Sequence, residues 1–375
     1  MKQYLQSYKF PILLFTIFID LLGIGILIPV IPQLLANPAS SQYLFSPSLP
    51  LSTAYIIYGF LAAAYPLALF LAAPILGQLS DRFGRKPILV ISLLGTCVGY
   101  FVFAFAIITK NIPLLFLSRI FDGLTGGNIS VAQAAIADIT QPENRAKSFG
   151  LVGAIFGIGF ILGPYIGGIL SDPAVVSWFS AATPFWFTAI LSFCNALFVF
   201  FFLPETHLVK NPSLAISWNK AFRHIARAVT LPSHIWLFVT LFLFQAGFAF
   251  YVSFFGVFLI DRFSFTQGDA GYYFAYVGFW IAFAQAVVTR LVARYYAERA
   301  VLRVSLFATG MMVLILFFPT ATWQLLAVTP FFALFNGLSQ ANIFGLISRS
   351  AHQSKQGEII GISSSVASLA QAIPP

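Results

Sequence analysis

Charge is what this chain has least of: 8% of its 375 residues are Asp, Glu, Lys or Arg, against 59% hydrophobic residues that include 44 Phe. So few charges cannot cover the surface of a water-soluble domain of this size. The long apolar stretches between them have the length, about 20 residues, that crosses a bilayer. Cysteine is nearly absent as well. Cys97 and Cys194 both fall inside apolar stretches, which excludes a disulfide framework and a metal site and leaves two small core residues. No Gly-rich loop ends in Lys-Ser or Lys-Thr, so ATP is not the indicated energy source and no cofactor is expected. The histidines at 207, 224, 234 and 352 fall in loops or at helix ends, so none is placed to relay a proton inside a span. No cleavable leader is expected. Lys2 and Lys9 precede Pro11, and the apolar run continues to Leu35 with no small-residue cleavage site, which reads as a retained first helix.

What is present is a series of apolar spans, expected at 10–36, 53–79, 87–108, 112–137, 147–170, 183–203, 234–259, 270–294, 300–319 and 322–348, with an eleventh beginning near 359. The chain is therefore an all-α polytopic membrane protein. Its net charge of +9 does not point to nucleic acid, because the cations sit in the short loops. All Lys and Arg except Lys110, Arg262 and Arg119 fall on the side of the N terminus, and the positive-inside rule makes that side cytoplasmic. A bacterial inner (plasma) membrane is the expected location. The longest connection divides the chain into a six-helix half, 1–203, a linker, 204–233, and a second half, 234–375. Within the linker Trp218, Phe222, Ile225 and Val229 recur at helical spacing opposite Lys220, Arg223, His224 and Arg227, the pattern of an amphipathic helix on the membrane surface. The residues from Gly361 to Pro375 are too few to cross the bilayer, so the second half is expected to be incomplete, truncated within the eleventh helix.

The halves echo each other. Ala64-Tyr65 through Arg82 runs parallel to Ala275-Tyr276 through Arg294, the second copy keeping Arg294 and Arg299 but lacking the glycines and Asp81. Internal repeats of this kind build membrane carriers.

Between the second and third spans the chain reads Gly77-Gln-Leu-Ser-Asp81-Arg82-Phe-Gly84-Arg85-Lys86-Pro. Gly77 allows close approach of a helix end, Gly84 allows a turn backbone closed to other residues, and Asp81 among three cations can form a breakable ionic latch. This segment resembles the cytoplasmic gate signature of the major facilitator superfamily, and Asp138 at the cytoplasmic end of the fourth span is counted with Gly77, Asp81, Arg82, Gly84, Arg85 and Lys86 as part of the expected gate. The first span, Asp20-Leu-Leu-Gly23-Ile-Gly25 through Pro29 and Pro32, resembles the drug/proton antiporter branch, in particular its tetracycline exporter subgroup. So does the fourth, with Arg119, Gly123, Gly126 and Gly127 before Ala137-Asp138-Ile-Thr140. The fifth span carries Gly159, Gly163-Pro164 and Gly167-Gly168, similar to the signature of antiporters in that superfamily. Glycines so spaced also serve plain backbone-to-backbone packing, and both readings stay open. The resemblance implies two six-helix halves working by alternating access, driven by the proton gradient. The chain departs from the exporters where it has Gly99 before Tyr100 in place of an acid, and Ile281 near the position of a histidine.

Ionisable residues inside lipid-crossing segments are functional candidates by default, because a charge at mid-bilayer costs about 3 kcal/mol or more unless paired or hydrated. Asp20, Arg119 and Asp122 all reach about 10 to 15 Å into the membrane at 1.5 Å per residue. Arg119, Asp122, Gly126, Ser130 and Gln133 fall on one helical stripe, expected to line a central cavity in which Ser130 and Gln133 are candidate substrate contacts. With both acids ionised the trio carries one net negative charge, and one proton neutralises it, the arithmetic of a proton-coupling site. A static Arg119–Asp122 pair is the other reading. Gln245, Trp280, Asn336 and Gln340 are candidate substrate contacts in the second half, or helix-to-helix glue. The expected function is proton-driven export of small hydrophobic or amphipathic compounds by a monomer whose partners are substrate, protons and lipid. The alternatives are uptake or export of a specific metabolite or siderophore, and a truncated, non-transporting membrane sensor or scaffold.

Overall fold

Apolar residues unbroken over 20 or more positions must satisfy their backbone groups internally, and the α-helix is how a single segment does so. The computed structural model describes residues 2–46, 48–141, 144–207, 216–231, 234–350 and 356–375, and its regular elements there are all helical. The first half holds α1 (Lys2–Leu35), α2 (Leu51–Phe83), α3 (Arg85–Ile108), α4 (Ile112–Thr125), α5 (Asn128–Ile139), α6 (Arg145–Ser171) and α7 (Thr183–Phe202). A surface helix, α8 (Lys220–Thr230), precedes α9 (Ile235–Phe263), α10 (Gln267–Phe283), α11 (Thr289–Val292), α12 (Glu298–Ile315), α13 (Thr322–Ser350) and α14 (Gln356–Ala372). Seven helical segments among the described residues are each long and apolar enough to cross a membrane.

Two expected spans are interrupted. The fourth divides into α4 and α5 at Gly126–Gly127, where ψ is 20° and 5°. Two consecutive glycines lower helix propensity by about 1 kcal/mol each, and hydroxyls take over carbonyls at the break: Thr125 donates to Asp122 O at 3.3 Å and Ser130 to Gly127 O at 2.8 Å. The eighth contains a π-helical turn, Ala284–Val288, between α10 and α11. The first repeat copy, α2, runs through the corresponding region as one helix, so the internal echo is looser in structure than in sequence.

Call the end with the α2–α3 turn the near end and the end with residues 36–50 the far end. At the far end the halves interlock. Gln33 donates to Phe265 O at 2.7 Å, Tyr58 donates to Ser253 O, and Pro32 lies where a Cβ on Gly256 would stand, at 2.9 Å. Toward the near end Gly77, Gly150, Gly153 and Gly345 have nothing within 4 Å of where a Cβ would be. Helix α6 is the seam. A Cβ on Gly163 would come within 2.7 Å of Gly25 Cα in α1, and one on Gly168 within 3.0 Å of Gly271 Cα in α10. Backbones this close leave no room for any side chain, and dispersion is what holds helices together where lipid is the solvent.

The linker helix is α8, as expected. Its stripe is divided, however: Ala221 and Ala228 are buried, Ile225 packs against an apolar cluster that includes residues of α9 and α14, Phe222 meets Phe70, and Trp218 stays 74% exposed. His224 bonds Ser365 at 2.9 Å, docking α8 on α14. The parts of the expected linker at 208–215 and 232–233, and His352, lie outside the described residues.

Candidate functional site

Three small residues make space for a polar group at mid-membrane. Gly99 on α3 leaves room for Asp122, whose Cβ stands 2.9 Å from where a Gly99 Cβ would be, and Gly23 on α1 seats the Tyr100 hydroxyl. Gly126 opens the helix beside Tyr65. The result is a small cavity lined by Asp20, Ile24, Tyr65, Thr96, Tyr100, Asp122, Gly126 and Asn128, with about 10 Å³ for water centres, room for about one water.

Asp20 is 8% exposed. Its Oδ1 accepts from Asn128 Nδ2 at 2.7 Å, and its Oδ2 has no hydrogen-bond partner among the described residues. Arg119 pairs with Asp122 at 3.3 Å, both side chains 3% exposed. The guanidinium lies over Tyr100 and Phe103, 5.0 and 4.5 Å from the ring centroids, a cation–π seat that partly replaces lost hydration. Asp20 and Asp122 thus share the cavity, while Arg119 sits behind Asp122 against the aromatic rings. The expected stripe is cut by the helix break. Ser130 is exposed and Gln133 half-buried, and neither lines the cavity. Asn128 takes that place. Sequence reasoning missed it because an unbroken helix would not start a new register there; the signal was Gly126-Gly127-Asn128, a helix stop followed by a residue favoured at helix starts.

The second cluster lies at the near end. Gly84 adopts φ 111° and ψ 156° as the hinge between α2 and α3, a positive-φ backbone that residues with a Cβ rarely take. Arg85 is the hub: its Nη1 reaches Asp81 and Ser80, each at 2.6 Å, and its Nε reaches Asp138 at 3.0 Å. Asp138 also faces His207 at 3.7 Å. Glu205, not singled out in the sequence, accepts the backbone N–H of Arg85 at 2.9 Å and of Lys86 at 3.4 Å, capping α3 with a charge its dipole favours. The Arg82 and Lys86 side chains lie over Phe83 and Phe200 at 5.3 and 5.6 Å. These groups belong to the first half or, for Glu205 and His207, to the start of the linker, so among the described residues the cluster does not bridge the halves. Gly77 makes no close approach in this state, contrary to the reason given for it above.

In the second half Gln285, turned by the π-helical turn, donates to Gln340 at 2.7 Å. Trp280 Nε1 and Gln245 Oε1 are buried with no partner among the described residues, and Asn336 is 2% exposed. The near ends of α12 and α13 are joined by Glu298 and Arg349 at 3.1 Å.

A many-helix membrane bundle with two echoing halves, a glycine-packed seam and a charged cluster at mid-depth defines a secondary carrier, and comparison with known proteins agrees. The model of the Major Facilitator Superfamily matches residues 13–375, and the chain belongs to that superfamily. It is 32% identical to the class C tetracycline resistance protein of Escherichia coli, over 97% of this chain and 87% of that one. It is 31% identical to multidrug resistance protein 1 of Bacillus subtilis, over 83% and 74%. The crystal structure of the human organic anion transporter MFSD10 superposes with a TM-score of 0.72 at 22% identity, over 99% of this chain and 92% of that one. The protein is a multi-pass membrane transporter and not an enzyme. The expectation of an incomplete second half is not borne out by these comparisons.

Proposed function

We propose that this protein is a proton-coupled exporter of small hydrophobic or amphipathic compounds, working as a monomer in a bacterial inner membrane with its N terminus in the cytoplasm. The observation that carries the reading is Asp20, a buried mid-membrane carboxyl with one oxygen tethered and the other unpartnered beside a cavity shared with Asp122. Together with the Arg119–Asp122 pair it holds one net negative charge that a single proton neutralises. Relatives named for tetracycline and multidrug resistance support export. The crowding of Lys and Arg on the N-terminal side supports the orientation.

In this reading the interlocked far end makes the present arrangement closed to the outside. A proton reaches Asp20 when the halves, residues 1–203 and 234–375 about the 204–233 linker, rock the other way and α6 pivots on Gly159, Gly163, Pro164, Gly167 and Gly168. Protonation removes the net charge and lets the halves return. Each charge moved through 100 mV supplies about 2.3 kcal/mol. The Asp81–Arg85–Asp138 cluster ties the near ends of α2, α3 and α5 together while its ion pairs are intact. Substrate lies between the halves against Trp280, Gln245, Asn336 and Gln340, whose neutral donors and acceptors suit a weakly charged, mostly apolar molecule. Cells producing the protein should accumulate less of a fluorescent amphipathic compound than cells without it, and a protonophore should abolish the difference. Raised accumulation, or export indifferent to the protonophore, would overturn the reading.

A further inference from the structure

The glycine break makes α5 a rod of its own, and both of its ends hold charge. Its first residue, Asn128, is 1% exposed and donates to Asp20 Oδ1 at 2.7 Å, with Thr96 Oγ at 3.4 Å on the same nitrogen. Ten residues on, about 15 Å along the axis, Asp138 pairs with Arg85 at 3.0 Å and faces His207 at 3.7 Å. Between them the rod packs through Val131, Ala132, Ala135 and Ile136, all 0% exposed, on α1 and α3. At Gly126–Gly127 the α-helical ladder gives way to short turns, Gly126 N–H to Gly123 O at 3.4 Å and Gly127 N–H to Thr125 O at 2.9 Å, while the Thr125 and Ser130 hydroxyls take Asp122 O and Gly127 O, so α5 is joined to α4 by a junction and not by a continuous helix.

We infer that Asn128 is a positioning residue that couples proton binding at Asp20 to a turn of α5, and through Asp138 to the Arg85 ion pair. The inference rests on the reading of Asp20 as the proton site. Its basis is the chemistry of the amide. An ionised carboxyl accepts and cannot donate, so it holds the Asn128 NH2, as seen. A protonated carboxyl also donates, and the Asn128 Oδ1 that would accept from it has no partner among the described residues. Asn128 therefore has one arrangement for each protonation state of Asp20. The first is charge-assisted and roughly twice as strong as the second, so protonation loosens the tether at the head of the rod. The other polar groups facing the cavity are Asp122, with Arg119 behind it, and the Thr96, Tyr65 and Tyr100 hydroxyls. None of them belongs to α5, so Asn128 is the cavity group that can report to Asp138.

The test uses the whole protein in lipid nanodiscs, with Cys97 and Cys194 replaced and an environment-sensitive fluorophore on Gln141→Cys, just beyond α5. Infrared difference spectra follow the Asp20 carboxyl band with pH, assigned by its loss in Asp20→Asn. Fluorescence and band should titrate together in the parent. In Asn128→Leu the band should still titrate while the fluorescence response is lost, and Asn128→Ser, with a shorter donor and acceptor, should restore part of it. A response of parental size in Asn128→Leu would overturn the role of Asn128 and leave the proton-site reading standing. A spectrum unchanged by Asp20→Asn would remove both. Should Asn128→Leu fail to fold, Asn128→Ser decides: a reduced response supports the coupling, and one of parental size and midpoint overturns it.

Discussion

At one depth the two halves solve different problems. Between about 10 and 27 Å from the far end at 1.5 Å per residue, the first half places Asp20, Arg119 and Asp122, and the second places Gln245, Trp280, Gln285, Asn336 and Gln340. Ions at this depth need partners, and each has one: an amide for Asp20, a carboxylate and two rings for Arg119. Single atoms stay unpartnered in both halves among the described residues, Asp20 Oδ2 and Arg119 Nε and Nη2 in the first and Gln245 Oε1 and Trp280 Nε1 in the second, but those of the second half belong to neutral groups. The near ends repeat the contrast. Arg85 is 8% exposed in its cluster, whereas Arg349, on the corresponding helix pair, is 75% exposed and its polarity toward Glu298 is reversed. The first half is built to hold and change charge, and the second to offer neutral hydrogen bonds.

The largest effect that tests this division comes from breaking the buried ion pair. Arg119→Leu strands Asp122 and should destabilise the protein by about 3–5 kcal/mol, while the double variant Arg119→Leu/Asp122→Leu should recover most of that. Thermal unfolding in detergent measures both, and equal losses in the two would mean the pair is not the reason Arg119 is tolerated. Next is the seam between the halves. Gly168→Ala puts a Cβ within 3.0 Å of Gly271 Cα, and overpacking of that kind costs about 1–3 kcal/mol. Spin-label distances across the far end should lengthen, and unchanged distances would show that the seam yields. The smallest effect is expected in the second half. Gln285→Leu removes one interhelical hydrogen bond, about 0.6 kcal/mol, and should change affinity for substrate but not the pH dependence of transport. A shifted pH profile would blur the distinction between the halves.

The spans were legible because twenty apolar residues in a row have few alternatives, and Asp20, Arg119 and Asp122 because charge in lipid is conspicuous. The gate motif pointed to a turn at Gly84 and to Asp81 as a partner for a neighbouring cation. What stayed hidden depends on register. Gly126–Gly127 and the Ala284–Val288 turn rotate everything after them, which removed Ser130 and Gln133 from the cavity, brought in Asn128, and turned Gln285 onto Gln340. Glu205 was missed because its partners are backbone N–H groups distant in sequence, which no side-chain pattern announces.

The central claim is that charge at Asp20 couples transport to the proton gradient. Asp20→Asn keeps the shape and can still hydrogen-bond Asn128 but carries no titrating proton. In vesicles at equal protein levels, the variant should lose efflux driven by an imposed pH difference and retain exchange of substrate at equal pH on both sides. Undiminished pH-driven efflux in Asp20→Asn would contradict the account and leave Asp122 to carry the proton.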